Sequence, residues 1–422
     1  MVAGRGPATT MEYQPRPTPL ARGLVSLRHR DFRLFWFGQL VSLVGTWMQI
    51  VAQNWLVLEL TNSPLALGVV SALQFLPILT LSIPGGVVAD RLPKRALLLA
   101  TQSSSMLLAF ALAVLTQVGV VQIVHVLVLA LLLGVVNALD MPTRQAFVVE
   151  LVGAADLRNA IALNSAAFNS ARLVGPAVAG LAIGWLGLAG CFYLNGMSFL
   201  AVIVGLLAVR TGREPAARPV EPGSLWDDLR EGLAYVLGTP RVRWVVLLVA
   251  VIGTFGMNMG VLIPVLARDA LRVGAEDYGF LTSAMGVGSL VAAFLLAYLG
   301  QAPRRGLLLG AVAALGLLQM VLADVTGFLL ALPLLAGVGF AMIFFTTLAN
   351  TALQMATPDA LRGRVMSVYA TVFAGTTPLG SIFAGWLAER WGVGASFFLG
   401  GLVSLSAALV GYFIGPTGRR RG

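Results

Sequence analysis

Three groups of residues in this 422-residue chain are of types that could do chemistry. The first is a ladder of neutral polar side chains, Gln39, Ser42, Thr46, Gln49 and Gln53. Their steps of 3, 4, 3 and 4 place them on one face of a single helix. In an apolar run such a face must look at a water-filled cavity or be spent on hydrogen bonds between helices. The second is a lone cation, Arg172. It stands about twelve residues into an apolar run, roughly 18 Å from its nearer end. A cation at that depth needs a partner or a wet cavity. One role is recognition of an anion or of a proton-linked substrate. The other is structural, with Arg172 tied to backbone carbonyls or to Asp140. Asn169 and Asn164 lie on the same run. The third group is a charged hairpin, Asp90-Arg91-Leu92-Pro93-Lys94-Arg95, set between two apolar runs. Arg91, Lys94 and Arg95 are the local partners of Asp90, and Asp140, followed by Arg144, is a second acid for Arg95.

Other chemistries are thinly supplied. Cys191 is the single cysteine and His29 and His125 are the only histidines. No metal site and no cofactor is expected from them. There is no H-E-x-x-H, no G-x-S-x-G and no G-x-x-x-x-G-K-[ST], so neither an enzyme nor an ATP-driven pump is indicated. The acids Glu59, Asp140, Glu150 and Asp324 all fall toward the ends of apolar runs, and none at mid-membrane. His125 reads first as a hydrogen-bonded packing residue.

The elements that must position these groups are long apolar runs. The chain is 58% hydrophobic and 11% charged, with a mean hydropathy of +0.87. A soluble domain of this size needs far more charge, whereas about 20 apolar residues cross a bilayer. Unbroken runs select helices, since a bilayer leaves no bare backbone group satisfied. Twelve spans are expected, over 34–60, 65–89, 95–118, 121–141, 160–186, 191–209, 244–267, 278–299, 306–323, 328–348, 365–388 and 395–414. A loop is expected over Asn137–Ala146, followed by a cytoplasmic stretch before the fifth span. With the N-terminus inside, 24 of the 28 Lys and Arg residues fall inside. Only Arg268, Arg272 and Arg390 fall outside, and Arg172 is within a span. That asymmetry puts both termini in the cytoplasm. The net charge of +10 is therefore a mark of membrane orientation and not of nucleic-acid binding.

The chain also repeats itself. Pro93-Lys94-Arg95-Ala96-Leu97-Leu98-Leu99 lies over Pro303-Arg304-Arg305-Gly306-Leu307-Leu308-Leu309, 210 residues on, with five of seven positions identical and Gly300 in place of Asp90. A duplication on this scale is a mark of transporters. Between the halves, Pro215, Pro219 and Pro222 keep the chain extended. Ser224 and Asp227 then read as a capping box opening a short amphipathic helix. That helix lies on the inner membrane surface or packs on the ends of the spans.

Over nearly its whole length the chain resembles the major facilitator superfamily. Gly86-x-x-x-Asp90-Arg91-x-x-Lys94-Arg95 is similar to that superfamily's signature loop between spans two and three, with Pro93 where the signature usually has Gly. Within it the chain looks like the enterobactin-exporter and macrolide-efflux branch. The residues that carry this are HRDFRLFWFGQLVSLVGTWM from His29, Asn137–Ala146, Leu157-Arg158-Asn159-Ala160, and Arg172–Gly180. The last is a degraded Gly-Pro motif of drug–proton antiporters, with Ala179 in place of one Gly. The resemblance implies an all-α integral membrane protein of two pseudo-symmetric six-helix bundles. It implies export, with protons as the coupling ion, and leaves the substrate open. It implies that Asp90 latches the inner ends of the halves near the start of span eleven, with Arg91, Lys94, Arg95, Asp140 and Arg144 around it. It also implies that spans one, four, seven and ten line the cavity. Thr254 and Asn258 on span seven, and Thr346, Thr347, Asn350 and Gln354 on span ten, then join the ladder of span one. The superfamily's usual span-four arginine is absent, Ala130 standing there, and Arg172 is its candidate replacement.

The expected organisation is a disordered tail (1–25), a first bundle (26–209), a cytoplasmic linker (210–243), a second bundle (244–414) and a basic tail (415–422). The expected molecule is a monomer in the cell membrane, exporting a siderophore or a lipophilic drug-like molecule. Its expected partners are that small molecule, protons and membrane lipid. A facilitator without proton coupling and a non-transporting scaffold or receptor are the alternatives.

Overall fold

The computed structural model describes residues 24–210, 224–300 and 304–414, except for the side chains of 82, 83, 90, 224–229 and 414. The expected tails, the prolines of the linker, Gln301–Pro303 of the repeat, the side chain of Asp90 and the Ser224–Asp227 capping box lie outside the described residues.

Long helices make up the molecule. Helix α1 (Arg30–Thr61) stops at Asn62, whose φ of 51° turns the chain. Ser63 then caps α2 (Pro64–Arg91), accepting from the Ala66 amide at 3.1 Å. Pro64 opens α2 at a position where no N–H is needed. After α3 (Lys94–Gln117) comes a helical run, Ile123–Ala208, broken only at Gly153 and Gly187. It comprises α4 (123–152), α5 (154–186) and α6 (188–208). The linker helix α7 (Ser224–Gly238) follows. Then come α8 (Pro240–Phe255), and α9 (Met259–Val265) running into a π turn at Leu266–Ala270. Next are α10 (Ala275–Leu299), α11 (Arg305–Leu322) and α12 (Phe328–Ala356). The last run, Asp359–Ile414, is broken at Gly392 into α13 (359–391) and α14 (393–414).

Among the described residues nine helical stretches are long and apolar enough to cross a membrane. The glycine breaks divide two of them further, making twelve helical segments in all among the described residues. Gly187 and Gly392 have φ of 69° and 84° and occupy equivalent hairpins in the two halves. Glycine holds that conformation without steric cost, so each chain reversal takes one residue.

Two expectations are corrected here. Asn137–Ala146 is not a loop, and the chain between spans four and five is helical on both sides of a break at Gly153. The helix carries on through Pro142 to Gly153, because the polar residues there are satisfied by one another and by α3, as shown below. Span seven is not one helix either. It breaks at Gly256–Asn258, where Gln319 Nε2 takes the freed Gly256 carbonyl at 2.6 Å and Asn258 Nδ2 takes that of Thr254 at 2.7 Å.

The molecule buries polar side chains within its apolar core and exposes large apolar ones. Gln39, Gln49, Gln102, Asn195 and Gln319 are buried, while Trp185, Tyr298, Leu329 and Phe413 are exposed. This inversion suits a hydrocarbon surround. Helices α1–α6 pack among themselves, as do α8–α14. The two sets meet along two seams, α2 with α13 and α5 with α10. At these seams Gly68 and Gly385, and Gly180 and Gly279, lie against the facing backbone with no room for a Cβ. The linker helix packs on the ends of α12 and α13. Glu231 pairs with Arg364, Tyr235 Oη donates to the Ala356 carbonyl at 3.4 Å, and Val236 is buried.

Candidate functional site

The helices alternate in direction, so the molecule has two ends. The basic end carries the turns near residues 92, 153, 239, 304 and 357, and the far end those near 62, 120, 187, 272, 325 and 392. Each group expected from the sequence can be placed on this frame.

The charged cluster sits at the basic end of the first helix set. Asp140 is buried and accepts from Thr101 Oγ1 and Gln102 Nε2, both at 2.7 Å, and from Arg144. Its Nε contact from Arg144 is 2.9 Å long. Asp140 is therefore not the partner of Arg95, because Arg144 sits one turn along the same helix and reaches it first. Arg95 donates instead to the carbonyls of Leu206 and Leu207, at 2.7 and 2.9 Å, at the C-terminus of α6. Those carbonyls have no partner within the helix, and a cation there also meets the negative end of the helix dipole. Lys94 pairs with Glu150 on α4 at 2.6 Å, and Arg91 is exposed. Lys94, Arg95, Asp140 and Arg144 thus all have partners within the first helix set.

The ladder of α1 is divided. Gln39, Ser42, Gln49 and Gln53 are buried, and Thr46 is half-buried, donating to the Ser42 carbonyl at 2.9 Å. Gln49 Oε1 accepts from Asn195 Nδ2 on α6 at 2.6 Å, and Ser198 joins that network. Gln49 therefore ties α1 to α6. Gln39 Oε1 is buried without a protein partner.

Arg172 is tied to neither of its expected structural partners among the described residues. Its guanidinium lies over the ring of Trp47, 5.7 Å from the centroid, and its Nε is buried and unpartnered. Asn169, nearby, donates to its own helix at Ser165. In the second helix set, Thr346, Thr347, Asn350, Thr351 and Tyr369 line a cavity of about 360 Å³ between α12 and α13. Gln354 Nε2 donates to Asn350 Oδ1 at 2.6 Å. Asn258 is buried at the break in span seven.

A polar clasp across the halves at the far end was not foreseen. Arg268 Nη1 donates to the Leu58 carbonyl at 3.0 Å and to Asn62 Oδ1 at 3.3 Å. Glu389 accepts from Ser63 Oγ and, at 3.1 Å, from the Leu65 amide, so it caps α2 from the other half. Asn54 Nδ2 donates to the Gly260 carbonyl at 3.1 Å and to Tyr278 Oη at 3.2 Å, while Trp55 stacks on Tyr278. The sequence signal was faint: Arg268 and Glu389 are polar residues at span ends, where polarity is ordinary.

The fold has counterparts among known proteins. A nucleoside transporter, NupG, superposes with a TM-score of 0.74 at 12% identity, covering 90% of this chain and 98% of that one. The multidrug efflux pump Tap of Mycolicibacterium fortuitum is 31% identical over 389 residues, covering 90% of this chain and 95% of its own. The staphyloferrin A transporter of Staphylococcus aureus is 26% identical over 389 residues, covering 90% and 96%. Residues 21–416 match the transmembrane secretion effectors, and the chain belongs to that family of the major facilitator superfamily, a multi-pass membrane transporter of small molecules.

Proposed function

We propose that the protein is an efflux transporter working by alternating access, exporting a siderophore or a lipophilic drug-like molecule by proton antiport. The observation that carries this reading is the one-sided clasp. The hydrogen bonds that described side chains make between the halves lie at the far end, through Arg268, Glu389 and Asn54, or midway, from Ser283 to the Leu173 carbonyl. Two rigid sets of helices fastened at one end can rock about their seams. With the basic end facing the cytoplasm, the orientation that the arginine distribution supports, this is a state sealed on the outside. In the opposite state Asp90, Arg91, Lys94 and Arg95, supported by Asp140 and Arg144, would close the inner end. Residues 26–209 and 244–414 are the moving units and 210–243 the cytoplasmic linker, within a monomer in the cell membrane. Gln39, Thr46, Gln53, Asn169, Arg172, Asn258 and Asn350 form the pathway, with Gln49 bracing its wall. Efflux, and not uptake, is favoured by the likeness to a multidrug efflux pump.

The test is export from cells lacking their own pumps. Cells expressing the protein should accumulate less of a fluorescent lipophilic dye than control cells, and a protonophore should abolish the difference. Equal accumulation overturns the efflux reading. Export that survives the protonophore overturns antiport alone.

A further inference from the structure

We infer that Arg172, Trp47 and Phe168 form a binding site for an ionised acidic group carried on a flat apolar body. This rests on the efflux reading and names the chemistry of what the pathway takes. Arg172 lies deep in the membrane, about 28 Å along α5 from the Gly153 break and about 22 Å from Gly187. The other arginines that reach helix ends are each tied to carbonyls: Arg95 to Leu206 and Leu207, Arg305 to Tyr412, and Arg268 to Leu58. Among the described residues Arg172 takes no carbonyl and no carboxylate, and its Nε is buried without a partner.

Nor is there, among the described residues, a spare acid beside it. On the elements packed against α5, the acids of α1 are Asp31 and Glu59 and those of α10 are Glu276 and Asp277, all at helix ends. Asp140 is the one acid well inside α4, and it is saturated by Thr101, Gln102 and Arg144. A cation left unpaired at this depth is costly, and an acid carried by a bound molecule would supply the counter-charge that these elements do not.

The surroundings say what accompanies that charge. Phe168 lies one helical turn before Arg172 on the same face of α5. Its ring meets Trp47 edge-on at 5.7 Å, and Phe168 is 47% exposed. Phe168, Trp47 and Arg172 therefore form a continuous strip of two aromatic faces and one cation. Resting on Trp47 steadies the guanidinium while leaving its terminal N–H groups for a bidentate grip on a carboxylate. The exposed ring beside it offers an apolar wall to a flat molecule.

The test uses a matched pair of probes, 2-naphthoate and its uncharged amide, 2-naphthamide. The full-length protein is placed in nanodiscs of phosphatidylcholine only, which removes anionic lipid headgroups as a rival source of acid. Titration followed by tryptophan fluorescence should show naphthoate binding at least about tenfold more tightly than naphthamide. Arg172→Gln should bring that ratio close to one, Arg172→Lys should keep part of it, and Trp47→Leu should weaken both probes together. Adding phosphatidylglycerol should compete with naphthoate only if lipid headgroups also enter, and loss of naphthoate preference in neutral lipid counts against the inference. Equal affinities for the two probes, no saturable naphthoate binding, or a preference that survives in a monodisperse Arg172→Gln protein overturns it. Arg172→Lys keeps the cation, so the inference stays testable even where Arg172→Gln fails to fold. Should the wild type export the neutral dye yet show no acid preference, this inference fails while the efflux reading stands.

Discussion

The two halves of the molecule repeat their scaffold and differ in their charge. Positions 210 residues apart can be compared directly. Arg95 and Arg305 do the same job, each gripping the C-terminal carbonyls of the last helix of its own half. At Asp140 and Asn350 the halves part. Asp140 receives Arg144 one turn on, and Asn350 receives Gln354 one turn on, in the same geometry. One is an ion pair and the other its neutral amide copy. The neighbours follow suit: Thr101 and Gln102, which donate to Asp140, have Ala311 and Val312 at the equivalent places. Lys94 has Glu150, whereas Arg304 has Ala360 at the position equivalent to that acid. The difference teaches that bracing a helix end is a need of both halves, while a buried charge cluster is a specialisation of the first.

The largest effect expected from breaking this comparison is at its charged member. Asp140→Ala takes the acceptor from Arg144 and from the buried Gln102, while Thr101 keeps the Leu98 carbonyl, and a broken buried pair costs about 3–5 kcal/mol. Asn350→Ala removes neutral contacts with Gln354 and Tyr369, each worth about 0.6 kcal/mol between groups in a membrane protein. Thermal unfolding of the purified protein should therefore show a large drop for the first and a small one for the second. The double variant Asp140→Asn/Arg144→Gln rewrites the first half as the second. It should regain most of the stability lost in Asp140→Ala, since each polar group again has a partner, while dye export falls. Full export by the double variant would show that the charge is not what distinguishes the halves.

A middle-sized effect is expected where the halves agree. Arg95→Ala and Arg305→Ala each remove charge-assisted bonds to helix carbonyls, worth about 1.5–3 kcal/mol. The two losses should match, and should add in the double variant, because the sites share no partner. Unequal losses would mean that the repeated arginine has acquired a second role in one half.

Much of this architecture could be read from the residues because hydrocarbon enforces it. Long apolar runs, the 210-residue repeat and the arginine asymmetry each follow from one strong physical constraint. The charged hairpin and Arg172 stood out for the same reason, as charges where charge is costly. What could not be read were the pairings. Arg95 and Arg144 are both within reach of Asp140 on a linear reading, and only the course of α4 past Pro142 shows that Arg144 takes it. That course was itself misjudged, since Pro142 and the polar residues from Asn137 resemble a loop until their partners on α3 are known. The clasp of Arg268 and Glu389 was hidden differently. Both lie in the polar zone at span ends, where a charge needs no explanation, so nothing in the residues marks them as joining the halves. Gln49 shows the remaining ambiguity: spacing put it on the polar face of α1, and only Asn195 on α6 reveals that its amide braces a wall.

The smallest effect concerns the residue beside each repeated arginine. Lys94 is mostly covered and its ammonium meets Glu150 at 2.6 Å, with side-chain exposures of 10% and 24%. Such a pair lies between a surface ion pair, worth about 0–1 kcal/mol, and a buried one. Lys94→Gln should therefore lower stability by about 1 kcal/mol, and Glu150→Gln by a similar amount, with the double variant no worse than either alone. Arg304 opens α11 in the exposed position, with no ion pair among the described residues. Arg304→Gln should change stability by less than about 0.5 kcal/mol. If the two substitutions proved equal, Lys94 and Arg304 would be orienting charges alike and the Glu150 contact would be idle. If Lys94→Gln alone destabilises the protein, the ion pair joins Asp140 and Arg144 as a feature built into the first half only, and the asymmetry extends from the buried acid to the rim of the hairpin.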